Sequence, residues 1–325
     1  MPPVVPPTYD YSGVIPREMA AQIIQEAAQY STVLQLANLV PMGTQINELP
    51  IPKTLPRAAF VNAPGGRKPF TELALEAQVL RAEEVAAVSA IPDQYLEDAV
   101  VNIWGFVRPR LAEAIGLALD DAVIFGTGAP PSYPTGGIVS NTFSQAVAAG
   151  TDAVDAINQG MSLVEAQGLG VTGHAADLTA KGRLRGVRDD TGALLLGVTQ
   201  ADQATRPTIY GLPASYSSWP QTVTTTDLIT GAWNYLMIGV RQDIRYTMDP
   251  NAVIADAAGQ VIVSGFQDNV TPIKVWARFA AAIVRPVTPR QPGGARPFAR
   301  MNLSAIAPLG NESEVVTAKR GAAKD

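Results

Sequence analysis

The chain has no cysteine and a single histidine, His174. The first absence excludes a disulfide framework, thiolate zinc sites and thiol catalysis. The second excludes any metal site built from several histidines and leaves one imidazole for acid–base work. Charge is scarce as well. Asp, Glu, Lys and Arg make up 16% of the 325 residues, where roughly a quarter is usual. A chain that spares charge and holds 47% hydrophobic residues has apolar surface to bury beyond its own core, which points to extensive subunit contacts. No apolar run approaches the roughly 20 residues of a membrane span. The N-terminal "MPPVVPPTYDYSG" lacks the basic start and apolar core of a secretory signal. The net charge of −5 is not the footprint of a basic nucleic-acid binder.

What is present includes one pattern that invites a chemical reading. "GLGVTG", Gly168 to Gly173, fits the dinucleotide fingerprint G-x-G-x-x-G. That motif needs a strand before it and a helix N-terminus after it to hold the pyrophosphate. Here a helical stretch precedes it, "TDAVDAINQGMSLVEAQ", with Val154, Ile157, Met161 and Val164 in line, and no helix starts directly after it. Gly168 is expected instead to end that helix in a left-handed backbone conformation. "FGTGAPPSYPTGG" lacks the Gly-Lys-Ser/Thr of a phosphate loop. There is no G-x-S-x-G elbow, and a catalytic triad would have to use His174. His174, beside a loop, is expected as a polar surface residue. The adjacent acids Glu83-Glu84, Glu97-Asp98, Asp120-Asp121 and Asp189-Asp190 point apart on any helix, so none is a ready carboxylate dyad. Lys181, Arg183, Arg185 and Arg188 read as a solvated face. No catalytic residue, cofactor or metal is expected.

Organisation follows from periodicity and punctuation. Four of the first seven residues are proline, which favours an extended arm over residues 1 to about 14. "IPREMAAQIIQEAAQYS" reads as a helix with Met19, Ile23 and Ala27 in one stripe. Residues 42–73 carry alternating segments, a Gly-Gly turn and a proline density no helix tolerates. They read as a long excursion, a two-stranded arm. By propensity "EAQVLRAEEVAAVSAI" returns from it as a helix, with an extended return strand as the competing reading. Asp93 to Phe125 is the strongest helix, with Leu96, Val100, Ile103, Val107, Leu111, Ala114 and Ala118 in step. Pro109 should kink it, and it would span nearly ~50 Å. A short helix is expected around Ala176 to Leu184. Strands are expected within 206–218 and 234–249, then a helical turn and a long strand within 261–286. The order is not a regular β-α-β alternation, and the class is α+β.

These ordered features resemble the major capsid protein of tailed bacteriophages, with the Hong Kong 97-type fold. The likeness rests on "ALDDAVIFGTGAPPSYPTGGIV", "DLTAKGRLRGVRDDTGALLLG", "IYGLPASYS", "MIGVRQDIRYTMD" and "GFQDNVTPIKVWARFAAAIVRP" in that order, over roughly residues 15 to 300. It implies an N-terminal arm (1–32) and an extended loop (46–90). It also implies a peripheral domain (33–45, 91–135 and 246–310) with a spine helix, an axial domain (136–245) and a flexible tail (311–325). No fused scaffolding segment is expected ahead of the arm. The implied role is an icosahedral shell of hexamers and pentamers. Its partners would be a portal protein, scaffold or decoration proteins, and packaged double-stranded DNA contacted without sequence preference, with no membrane. The implied location is the virion, with assembly in the bacterial host cytoplasm. A nanocompartment shell enclosing cargo enzymes, or an α+β hydrolase or transferase, are the alternative readings.

Arg67, Lys68 and Pro69, at the tip of the excursion, are the implied inter-subunit contacts. Some members of this family join a loop lysine to a neighbour's asparagine with help from a glutamate. Here the matching positions hold Lys68, Asn269 and, where the glutamate should stand, Trp276. Without a base the lysine should not attack an amide at a useful rate, so no covalent cross-link is expected.

Overall fold

The computed structural model describes residues 31–61, 68, 70–94, 103–147, 153–186, 208–219, 226–256 and 258–303. The expected arm and first helix, Arg67, Pro69, the first part of the expected long helix, the Asp189–Asp190 turn and the tail lie outside them. The described parts of 84–116 and 242–278 form one compact unit. Those of 31–83, 117–241 and 279–303 form the other.

In chain order the first elements are α1 (Thr32–Leu36), β1 (Asn38–Pro41), β2 (Ile46–Pro52), β3 (Leu75–Arg81) and β4 (Glu83–Pro92). The long helix α2 (Ile103–Asp120) ends in a π-turn over Asp121–Phe125. Then come β5 (Ser144–Ala146), α3 (Ala153–Ala166), β6 (Gly173–Asp177), α4 (Leu178–Gly186), β7 (Thr208–Ile209), β8 (Leu212–Ser217) and β9 (Leu228–Gly231). The last are β10 (Leu236–Met248), β11 (Val253–Ala255), β12 (Val261–Ser264), α5 (Gly265–Asp268), β13 (Val270–Ile283) and β14 (Phe298–Met301). The chain is α+β, as its sequence implies.

The larger unit is built on a six-stranded mixed sheet in the order β5-β14-β9-β6-β8-β7. Its strands are short and rich in small residues, so two layers can close on them. On one face α3 buries Ala153, Ala156, Ile157, Gly160 and Val164. Gly160 marks the close approach there: a Cβ would stand 2.5 Å from Met301 Cε, so the methionine would have to shift. On the other face α1 approaches closely: a Cβ on Gly173 would meet Leu36 Cδ2 at 3.2 Å. Beside that sheet, β1 runs parallel to β10, with Asn38 opposite Met237 and Pro41 opposite Val240. In the smaller unit, β11 and β12 form an antiparallel pair, and α2 carries Pro109 inside it.

Several expectations change. The stretch 76–91 is extended, as β3 and β4, and the helical reading of it is wrong. Its helix formers are overridden by pairing: every β3 residue has a partner on β2, an example of tertiary context outweighing propensity. The helix expected from Ala176 begins only at Leu178, because His174 to Asp177 pair with β8 and β9. The helix expected from Asp93 to Phe125 is described from Ile103 and changes to the wider π-turn after Asp120. Gly168 follows α3 with φ +82°, the left-handed stop its position calls for. β1, β5, β9 and β14 are too short to leave a periodic signal in the sequence.

Candidate functional site

The most distinctive feature of the larger unit is the ribbon of β2 and β3. The strands pair antiparallel from Ile46 opposite Arg81 to Pro52 opposite Leu75. Alternation gives the ribbon two unlike faces. Asn47, Leu49 and Ile51 lie with Leu80, Gln78 and Glu76 on one face. Leu80 is fully buried, and it clusters with Met42, Ala82, Ala280 and Ala282, with Leu49 packed against them. Ile46, Glu48, Pro50 and Pro52 lie with Arg81, Val79, Ala77 and Leu75 on the other. That face is exposed, Leu75 by 61%.

Beyond the strands the two sides stay tied. Lys53 N donates to Ala74 O at 2.8 Å and Thr54 Oγ1 to Glu72 O at 2.8 Å. Arg57 N donates to Thr71 Oγ1 at 3.2 Å. The Lys53–Glu76 pair at 3.8 Å is solvent-exposed and contributes little. Farther out, Phe60 is 100% and Phe70 91% exposed. A two-stranded ribbon is marginally stable alone. One that shows this much apolar side chain is built to be covered.

The positions tied to cross-linking are arranged as follows. Lys68 is exposed in the larger unit. In the smaller unit Asn269 caps α5 with φ +49°, and its carbonyl accepts from Asp93 N at 2.9 Å. Trp276 sits along β13, about 23 Å from Asn269 at strand spacing, so the structure does not bring these two together. Lys274 Nζ and the Arg278 guanidinium lie over the Trp276 ring at 5.7 and 5.6 Å. Glu84 pairs with both cations, at 3.7 and 3.6 Å. Its neighbour in sequence, Glu83, instead accepts from Ser132 Oγ at 2.9 Å and pairs with Arg81 at 3.1 Å. The adjacent acids therefore diverge, as expected.

His174 corrects its expectation. It is fully buried, not a surface residue, because it belongs to β6 and not to a loop. Burial holds its pKa down to about 4, and a backbone contact with Ile209 offsets only part of this. Asp120, also fully buried, is pushed up to about 6 by burial, against hydrogen bonds from Ser31, Thr32 and Val33 that favour its charge. Among the described residues no three His, Asp or Glu side chains gather as a metal site. No helix among them is long and apolar enough to cross a membrane.

The exposed ribbon face was the part that sequence reading did not resolve. Its signal was there: Leu75, Ala77 and Val79 alternate with polar Glu76 and Gln78 at the period of a strand. The helix-forming Glu, Ala, Gln and Leu of the same stretch obscured it.

The Phage capsid family model matches residues 12–287. The Probable major capsid protein gp17 of Mycobacterium phage D29 is 25% identical over 281 residues, covering 83% of this chain and 86% of that protein. A solved chain from Mycobacterium phage Cain is similar with a TM-score of 0.68 and 26% identity, covering 89% of this chain and 98% of that one. The capsid of the native GTA particle computed with C5 symmetry shares the fold alone, with a TM-score of 0.57 at 17% identity, over 91% of this chain and 94% of that one.

Proposed function

Because the chain belongs to the phage capsid family and is a tailed-phage major capsid protein, we propose that it assembles into the hexamers and pentamers of an icosahedral shell enclosing double-stranded DNA. Its fold is the Hong Kong 97-like α+β fold of its structural neighbours. The observation that carries the assembly reading is the ribbon. Its inner face is packed in its own unit, its outer face leaves Ile46, Leu75 and Val79 in solvent, and beyond the strands Phe60 and Phe70 are exposed as well. Burying one such side chain against a neighbour is worth about 1.5–3 kcal/mol. Many copies then lock a shell through repeated small gains.

With this reading go the domain divisions given above: arm, extended loop, peripheral domain, axial domain and tail. Lys68, with Arg67 and Pro69, touches a neighbour at the loop tip. The role is structural, without catalysis and without covalent cross-links. The acidic balance of the chain suits a DNA-filled shell, since strong phosphate binding would oppose packing and release. A portal protein and scaffold or decoration proteins complete the particle, which assembles in the bacterial host cytoplasm.

Negative-stain microscopy of the purified chain tests the proposal. Hollow shells, hexamers or pentamers are expected. A monomer or dimer that persists under all solution conditions would overturn it.

A further inference from the structure

His174 is the only histidine of the chain and has no surface open to solvent. β6 sets it opposite Thr230 of β9 and beside Ala214 of β8. Residues paired in this way project from the same face of a sheet. On that face Thr230 Cγ2 lies close beneath α3: a Cβ at Gly160 would come within 3.0 Å of it. His174 therefore faces the same layer as α3, which packs over β9 and β14 of that sheet. Among the described residues, Nδ1 and Nε2 of His174 and Oγ1 of Thr230 are all buried without a well-formed hydrogen bond, and the Ile209 backbone is the polar group that interacts with the ring. Folded proteins ordinarily avoid such a cluster. A neutral imidazole bears it at moderate cost, and an imidazolium without a counterion does not.

Among the described residues, the charged groups of the neighbouring elements are exposed or engaged elsewhere. On α3, Asp155 and Glu165 are exposed. On α4, Lys181 lies over the Tyr216 ring at 5.3 Å, and Arg183 is drawn to Asp227 at 3.4 Å. Asp177, at the end of β6, accepts from the backbone N–H groups of Thr179 and Trp219 at 3.0 Å each. Burial, with no charge among its causes, is what lowers the affinity of His174 for a proton.

We infer that His174 is an acid-sensitive pin of the layer between α3 and the six-stranded sheet. Taking up a proton drives the ring toward water and parts α3 from the sheet. The device belongs to the folded subunit, so it stands whether or not the assembly reading does. The sign follows from linkage. In the window between the depressed folded value and the ordinary value near 6.5, the unfolded chain binds more protons. Stability from this residue is therefore present above that window and is lost as pH falls through it.

The test compares the full-length chain with His174→Gln and His174→Leu. Relative to either variant, the folding equilibrium constant of the wild type should fall by about 20-fold between pH 7 and pH 5. Amide exchange in α3 and β6, corrected for intrinsic rates, should quicken at pH 5 in the wild type only. Exchange of the ring C2 hydrogen, read by mass spectrometry on the wild type, needs no variant to fold. It should titrate well below 6.5. A ring that titrates at or above 6.5, or variants that keep the wild-type pH dependence, would overturn the inference.

Discussion

Ser31 Oγ donates to Asp120 Oδ1 at 2.6 Å across 89 positions of chain. The same carboxylate accepts Thr32 N at 2.8 Å and Val33 N at 3.1 Å, and Ser31 Oγ in turn accepts Leu34 N at 3.1 Å. Two orphan donors at the start of α1 are thus satisfied by the last residue of α2, all of it buried. Asp120→Ala should cost about 3 kcal/mol or more, because it strands a hydroxyl and two N–H groups out of water. Asp120→Asn keeps one acceptor and should cost less. Urea unfolding of the two variants checks the order.

Asp120 also makes a pH prediction, opposite in sign to that of His174. Its folded pKa is raised from 3.8 to about 6 by burial, so between these values the folded state holds the extra proton. Its contribution is fully present below about pH 4 and is lost as pH rises through 6, by roughly 3 kcal/mol. Asp120 and His174 therefore oppose each other between pH 4 and 6, and the wild type should show a shallow profile there. Asp120→Asn should unmask a steep loss of stability in acid. Thermal midpoints measured from pH 4 to 7 would contradict this if the Asn variant were as flat as the wild type.

The loop after α2 rests on Gly137. Its φ is +59°, and a Cβ would lie 2.5 Å from Ile124 O and 2.7 Å from Gly126 N. That approach lets Ile138 N reach Val123 O at 2.9 Å and Val139 N reach Ile124 O at 3.0 Å, closing the π-turn. Gly128 has a similar φ of +64° but open space around it. Gly128→Ala should therefore cost only the backbone term, about 1–2 kcal/mol. Gly137→Ala must also displace backbone and should cost clearly more. Denaturation midpoints compared side by side decide it.

These cases show how much the sequence carried. The class, the long helix, the helix stop at Gly168 and the last long strand were legible, because each has a local cause: periodicity, a glycine, a run of β-branched residues. The burial of His174 was not, since β6 is "GHAAD" and no pattern marks such a five-residue stretch as a central strand. The Ser31–Asp120 cap was not either, because it joins positions far apart in the chain. For the ribbon, the prolines located the excursion. Which face it buries depends on Leu80 and Leu49 meeting Ala280 and Ala282, a contact only the fold reveals.

The two ribbon faces should separate folding from assembly. Leu75→Asp and Val79→Asp alter exposed side chains and should leave subunit stability within about 0.5 kcal/mol. They place a charge in a surface destined for burial, so shells should be lost or much reduced. Leu49→Asp charges the packed face and should destabilise the subunit itself. Sedimentation and microscopy read assembly, and urea melts read stability. Normal shell yield from the Leu75 and Val79 variants would refute the role given to this face.

The cross-link prediction turns on Trp276. An isopeptide bond would form when the Lys68 amine displaces ammonia from an asparagine amide, and that step needs a group to take the amine's proton. The position that resemblance gives to the glutamate holds an indole, which cannot accept one. Glu84, in the same unit, is engaged by Lys274 and Arg278, the two cations that lie over the ring. Assembled shells boiled in detergent should therefore run as a single band at the 34.2 kDa of the chain. Their tryptic peptides should show no loss of ammonia joining Lys68 to Asn269, and Lys68→Arg should leave the gel unchanged. A ladder of covalent multimers that disappears in Lys68→Arg would show that another residue supplies the base.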